Sequence, residues 1–428
     1  MSTMDINVHY VTRVEGHGNL HARIRDGQLE ECRWEVPEAP RFFEAMIRGR
    51  PYYDAPFITS RICGICSIGH VMAAIQGVEN AIGFVPTEQT MLLRKLLLHG
   101  ETVQSHILHA YYLAAPDFVG APSVVPLAST HKEVVLRAVR LHRLANEWCD
   151  LIGGRTTHPI SAVVGGWTRV PTADDLRGLR ERIVAALPDV EATVALFQAL
   201  PVPQFTRDTE YLALKKPDEY AWYGGDIAST DGDVTPLPEY RRKVKEFIVP
   251  HSTAKRARGN RNSFAVGALA RVNVNYAQLS PLARSAAQAL GIKPVTCNPY
   301  LNSAAQVIET AHAMEDSLAI IDQLLARGLR EEGYAVAIRP GTGVGGVEVP
   351  RGTLYHEYTI DADGKITDAN FIIPTGQNHQ NIEDDLRALV PGLVGRSQEE
   401  ITLSMEMLVR SYDPCISCST HLLTVEFV

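Results

Sequence analysis

Apolar positions change their spacing along the chain, and the changes divide it. From Asn7 to Val36 the pattern reads as strand, with β-branched and aromatic residues and an Asp26-Gly27 turn signal between HARIR and QLEECRWEV. A small N-terminal sheet over about 5–37 is expected. Stretches 87–114, 129–152, 171–199 and 303–331 then repeat apolar residues at three-to-four spacing, which predicts long amphipathic helices. Pro86 ahead of Thr87 marks the start of the first, and Thr172 with Asp175 caps the third. Strand character returns over about 345–373 around Asp363-Gly364, and Ser397 with Glu400 opens a last helix that runs to about Tyr412. Residues 204–262, rich in Pro, Gly and charge, read as a long irregular excursion. Its basic cluster, Arg241, Arg242, Lys243, Lys255, Arg256, Arg258 and Arg261, reads as a solvated or subunit-facing surface. The expected fold is α+β and mainly helical, a central bundle of long helices with small sheets from the N-terminal region and from about 345–373.

Composition narrows the class. Lys+Arg 41 against Asp+Glu 49 leaves a net charge of −8, a poor match to phosphate backbones, so nucleic acid is not an expected partner. With 45% hydrophobic and 21% charged residues the chain has an ordinary globular composition. The start, MSTMDINVHYVTRVEG, shows no basic segment followed by an apolar run, and no uninterrupted apolar stretch is long enough to span a bilayer. A cytoplasmic protein without direct membrane insertion is expected.

Seven cysteines are too few for a disulfide scaffold, yet four of them form two CxxC pairs. Cys63 and Cys66 lie in RICGICSIGH; Cys415 and Cys418 lie in DPCISCSTH. A pair at the start of a helix can turn both sulfurs to one side, where the helix dipole helps to hold them as thiolates. Paired CxxC motifs also make structural zinc sites, but those join pairs a few tens of residues apart, and here about 350 intervene. Spacing leaves structural zinc, a thiol redox pair and a catalytic thiolate metal site open, and soft sulfur limits the metal to zinc, copper, nickel or iron. Cys32, Cys149 and Cys297 read as small buried hydrophobes, and His106 and His109 as core histidines on an apolar helix face. GTGVGG at 341–346 satisfies the dinucleotide spacing, but Pro340 precedes it and strand-like VEVPRGTLYHEY follows, so it is not read as a nucleotide site.

The motifs RxCGxCxxxH and DPCxxCxxH, in this order at the two ends, resemble the paired signatures of the nickel-iron hydrogenase large subunit. RVEGHG at 13–18, EAPRFFEA at 38–45, SHILHAYYLAAPD at 105–117, VPRGTL at 349–354 and IPTGQN at 373–378 agree, so the resemblance spans the whole chain. It implies one domain over 1–428, with the N-terminal sheet, a helical core over about 60–335, a C-terminal β/helix region over about 340–421 and a tail at 422–428. In many relatives a C-terminal extension is cleaved just after the final histidine; here LLTVEFV follows it. The wording is most similar to the alpha subunit of the soluble, bidirectional NAD(P)-coupled sulfhydrogenase branch.

The resemblance implies reversible heterolytic splitting of hydrogen. Cys63 and Cys415 would be terminal nickel ligands, and Cys66 and Cys418 would bridge nickel to an iron that bears carbon monoxide and cyanide. Cys415 would accept the proton and Glu15 would relay it. Arg351 would lie over the metals with Pro350 beside it, oriented by Asp117 and Asp413. Thr375 would donate to a cyanide and His70 to the Cys66 sulfur. Gly376 and Gln377 depart from the commoner wording next to Thr375. Glu44 and His421, with the Phe371 carbonyl as a third ligand, would hold a separate magnesium or iron. Iron-sulfur clusters need about four cysteines each, more than the three that remain, so an iron-sulfur small subunit is required as partner. Further iron-sulfur subunits and a diaphorase-type subunit carrying flavin and NAD(P) would complete the complex. A non-catalytic or unmatured structural subunit and a zinc-clamped assembly protein are the alternative readings.

Overall fold

In the computed structural model, which describes residues 3–420, Thr3–Val8, Asn19–Arg25 and Gln28–Glu35 form an antiparallel meander. Arg25 pairs with Gln28 across a two-residue turn in which Asp26 and Gly27 both have positive φ, the geometry that the Asp-Gly signal predicts. Ile6, Leu20, Ala22, Cys32 and Trp34 point from this sheet into the main core.

The four long helices are Glu88–Ile107, Lys132–Gly153, Ala173–Ala199 and Asn302–Arg327. Thr87 caps the first by accepting the Thr90 N–H at 3.1 Å, and Thr172 and Asp175 close a reciprocal box on the third. The first packs on the second and fourth, and the fourth on the third. The fourth ends at Arg327, short of the expected 331, because Gly328 takes a positive φ and turns the chain away. The first does not run to 114 as one α-helix; Leu108–Ala114 is a π-helical stretch, a form that recurs near functional sites.

Several helices escaped the periodicity reading, the two longest for clear reasons. Ser67–Ile82 is buried on nearly every side, so no polar stripe marks it, and Pro374–Leu389 starts directly after a strand. Gly341–Val349, Gly352–Ile360 and Ile366–Ile372 form the expected second antiparallel sheet. Its glycine-rich first strand lies directly on Ser67–Ile82: a Cβ on Gly343 would stand 2.1 Å from Ala81 N, and one on Gly345 2.1 Å from Ala73 O. The GTGVGG run is therefore a helix-contact surface, consistent with its rejection as a nucleotide loop.

Residues 204–262 are more ordered than expected. Glu210–Lys215, Asp226–Ser229 and Val234–Thr235 belong to one sheet, and Lys245–Val249 pairs with Ser252–Arg258 in another. EYLALK is buried at all but its last position, so it shows no alternation to read. The basic cluster is not uniformly solvated either. Lys243 is buried against Glu210 and Asp233, and Arg256 against Glu383, because these cations neutralise carboxylates inside the sheet layer. Cys32 and Cys149 are buried and Cys297 is half-buried. Among the described residues no helix is long and apolar enough to cross a membrane.

Candidate metal centre

The two ends of the chain are drawn together by backbone pairing. Cys63 follows the single turn Ser60–Ile62, and Cys66 is the N-cap of Ser67–Ile82. The second pair sits beyond helix Gln398–Ser411, where Asp413 takes a left-handed φ of 51° and turns the chain inward. Unlike the first pair, it leads into only a short turn, Ser417–Ser419. Glu15 N donates to Pro414 O at 3.3 Å and Ile416 N donates to Glu15 O at 2.9 Å. A Cβ on Gly16 would meet Ile416 Cβ and Ser417 N at 2.8 Å, so the glycine of RVEGHG is what lets these segments touch. Arg41 clasps both cysteine loops: its Nη2 donates to Ile62 O at 2.7 Å and to Ser417 O.

The sulfurs of Cys63, Cys66, Cys415 and Cys418 are all buried and lie within 4.8 Å of one another, the one metal-sized cluster of its kind among the described residues. Cys63 Sγ stands 3.5 Å from Cys415 Sγ and accepts the N–H groups of Ile65 at 3.2 Å and Cys66 at 3.1 Å. Burial works to raise the Cys63 thiol's pKa, but the Cys66 thiol, the Arg351 charge and these donors outweigh it and lower it. Cys66 is pushed well up by its hydrogen bond to Cys63 and by burial. The Cys415 and Cys418 sulfurs lie side by side in the same cluster, and as thiolates all four can serve one metal site. Four converging soft donors in a dry pocket suit a nickel- or iron-type ion.

Arg351 lies beside the cysteines, its Nη2 donating to Asp413 Oδ1 at 2.8 Å and its Nε to Asp413 O at 2.7 Å. Its Nη1 is buried with no hydrogen-bond partner among the described residues, leaving one donor of the fork for a ligand. Thr375 Oγ1 accepts the Cys415 N–H at 3.0 Å, and Glu15 Oε2 accepts from Cys415 Sγ and from Ser417 N, each at 3.1 Å. His70, on the first turn of Ser67–Ile82, meets His356 ring to ring through Nδ1 at 3.1 Å. Glu44 is buried and accepts the Phe371 N–H at 2.7 Å, so the amide of that residue faces it. His421 and the tail 422–428 lie outside the described residues.

Asp117 departs from the expected arrangement. Its oxygens accept from Arg410 Nε at 2.7 Å and Nη2 at 3.0 Å and from Arg13, so two other guanidinia occupy it, and among the described residues Asp413 is the carboxylate bonded to Arg351. Several residues at the site carry no motif signal. Glu101 accepts the Ile68 and Gly69 N–H groups at 2.7 and 3.0 Å under the first cysteine pair, and burial raises its pKa well above the usual carboxylate range. Arg271 binds Glu309 at 2.6 and 2.7 Å and Glu348 at 3.0 Å, and donates to the carbonyls of Val349 and Pro350, which fixes the strand end that carries Arg351. Burying so many charges is tolerable only when each is paired, which in hindsight was the signal: Arg and Glu inside apolar stretches.

Comparison with known proteins places this geometry. The family model for nickel-dependent hydrogenases matches residues 41–135 and 207–421. The chain is similar to the alpha subunit of sulfhydrogenase 1 of Pyrococcus furiosus, with 34% identity over 98% of each chain. It is also similar to the beta subunit of the NAD-reducing hydrogenase HoxS of Cupriavidus necator, with 29% identity over 96% of this chain and 94% of that one. A solved NAD+-reducing nickel-iron hydrogenase in the H2-reduced state superposes with a TM-score of 0.89 and 28% identity, covering 98% of this chain and all of that one.

Proposed function

The chain belongs to the nickel-dependent hydrogenases, and on that footing we propose that it is the catalytic subunit of a nickel-iron hydrogenase working in an NAD(P)-coupled complex. The observation that carries the reading is the cluster of four buried cysteine sulfurs with a carboxylate and a guanidinium at its edge. Cys63, Cys66, Cys415 and Cys418 would together hold the nickel and an iron carrying carbon monoxide and cyanide. When bound, this centre supplies heterolytic cleavage of hydrogen and takes up its two electrons.

The residues of the chain manage the proton and the charge. Cys415 Sγ holds the released proton, and Glu15 Oε2, at 3.1 Å, receives it without any change of backbone position. The Ser417 N–H on the same oxygen fixes the rotamer of the acceptor. Arg351 keeps a permanent positive charge over the thiolates through Asp413, and its spare Nη1 suits a cyanide nitrogen. Thr375, held by its bond from Cys415 N, suits a second cyanide, and His70, one turn beyond Cys66, is assigned as a donor to the Cys66 sulfur. Pro350 and Arg351 are presented by the Arg271 clamp. Glu44 and His421 are assigned to a magnesium or iron that ties the C-terminus to the core.

Cys32, Cys149 and Cys297 are far from one another in sequence, so electrons leave through an iron-sulfur small subunit, as befits a large subunit of hetero-oligomeric enzymes. The likeness to the NAD-reducing hydrogenases favours a diaphorase-type partner with flavin and NAD(P) beyond it, in a cytoplasmic complex. Hydrogen-dependent viologen reduction by the purified complex is the direct test; its absence from nickel-loaded material overturns the reading.

A further inference from the structure

Two residues beyond each member of the Glu15–Cys415 contact, the chain meets one and the same oxygen. Glu38 Oε1 accepts the His17 N–H at 2.6 Å and the Ser417 hydroxyl at 3.1 Å. A Cβ on Gly16, whose φ is 84°, would stand 2.8 Å from this oxygen, so Glu38 packs directly on the turn that carries Glu15. Glu38 itself is half-buried, and its segment is tied at both ends. Thr253, on Ser252–Arg258, donates its N–H to Val36 O at 2.9 Å and its hydroxyl to Glu38 O, and Arg41 N donates to Thr420 O at 2.7 Å. No part of the proposed function so far uses Glu38.

Main-chain bonds join the two segments only up to Ile416. Glu15 N reaches Pro414 O and Ile416 N reaches Glu15 O; beyond them no main-chain bond links 16–19 to 417–420 among the described residues. Glu38 Oε1 closes that gap, one acceptor shared by a donor from each segment. The closure bears on the proton step because the Ser417 N–H fixes the same Glu15 oxygen that faces Cys415 Sγ. If residue 417 drifts, the donor that holds the Glu15 rotamer drifts with it. A misplacement of about 1 Å at a reacting pair costs on the order of 100-fold in rate.

We infer that Glu38 is a positioning residue for proton transfer: its Oε1 clasps the Glu15 turn to the second cysteine loop and keeps Glu15 Oε2 at transfer distance from Cys415 Sγ. The clasp needs an acceptor oxygen, which a glutamine also offers, and no uptake of protons at residue 38. Its kinetic consequence rests on the proposed role of Glu15; the clasp does not.

Variants of the nickel-loaded complex test both parts. In Glu38→Ala, kcat for hydrogen oxidation is expected to fall roughly 10- to 100-fold with nickel content and KM for hydrogen unchanged. The solvent deuterium isotope effect on kcat is expected to rise, because proton transfer becomes the slow step. Glu38→Gln is expected to stay within about threefold of wild type. Amide hydrogen exchange over residues 13–18 reads the clasp without any activity. It is expected to quicken roughly 10-fold at His17 in Glu38→Ala and to keep its wild-type rate in Glu38→Gln. An unchanged amide rate in Glu38→Ala overturns the clasp, even in a complex that oxidises no hydrogen. Faster amide exchange with wild-type kcat overturns the positioning role, and so does a Glu38→Gln variant as slow as Glu38→Ala. Should Glu38→Ala fail to assemble, Ser417→Ala decides, since it keeps the main-chain donor to Glu15 and removes the hydroxyl half of the clasp. A drop in kcat of about 3- to 10-fold is expected there, and wild-type kcat overturns the inference.

Discussion

Glu15 Oε2 and Cys415 Sγ meet at 3.1 Å across a separation of 400 residues, held there by main-chain bonds on either side of both residues. Because the backbone sets this contact, the carboxylate is in place before any substrate arrives. Replacing Glu15 by Gln preserves the Ser417 contact but removes the proton acceptor. Hydrogen oxidation and hydrogen–deuterium exchange are expected to fall by roughly 10²- to 10⁴-fold with nickel content unchanged. Wild-type exchange rates would remove Glu15 from the proton path.

Arg41 is a mechanical link between the two cysteine loops, bonded to Ile62 ahead of Cys63 and to Ser417 between Cys415 and Cys418. Arg41→Met keeps much of the side-chain bulk but lets the loops separate. Nickel retention under chelator challenge is expected to weaken by about 10- to 100-fold, in the range seen when outer partners of a metal site are removed. Retention equal to wild type would mean that the loops are held by other contacts.

The clamp behind Pro350 and Arg351 is a stability element first. Glu309 is held down to about 2 although burial opposes its ionisation, because Arg271 and His106 both face it. Arg271→Met strands Glu309 and Glu348 in a dry core, and a loss of about 3–5 kcal/mol is expected in denaturant unfolding. A loss below about 1 kcal/mol, the scale of an exposed ion pair, would contradict the clamp.

Buried neutral histidines set the acid limit. Burial depresses His99 and His379 to about 3 and His312 to about 4, and Trp34 Nε1–H donates to His379 Nδ1 at 2.9 Å, which fixes a neutral tautomer. Their folded values lie below the ordinary histidine value, so on acidification the unfolded chain takes up protons first. Stability is therefore complete above about pH 6.5 and declines below it, by up to ~1.4 kcal/mol per pH unit for each histidine until its folded value is reached. The urea midpoint is expected to drop between pH 7.5 and 5.5, and His379→Gln is expected to drop less. A midpoint flat over that range would contradict the assignment.

Much of this was legible in sequence where local rules operate. The Asp26-Gly27 turn, the Thr172/Asp175 and Ser397/Glu400 boxes and the long helices follow from turn chemistry, capping and amphipathic spacing. Ser67–Ile82 and EYLALK were hidden because complete burial erases the alternation on which periodicity depends. At the centre, the four cysteines, Glu15 and Arg351 were found by motif, whereas Arg41, Glu101 and Arg271 act through contacts between distant segments that spacing does not encode. Asp117 was placed on the wrong guanidinium for the same reason: several buried arginines stand near it, and only the fold decides among them.

The central claim is that four cysteine sulfurs share one redox-active centre. Elemental analysis combined with nickel-edge X-ray absorption on the matured, reduced complex tests it most directly. About one nickel and at least one iron per chain, with sulfur as the dominant nickel neighbour, is the predicted result. Stoichiometric zinc with no nickel, or nickel with nitrogen and oxygen neighbours alone, would contradict it.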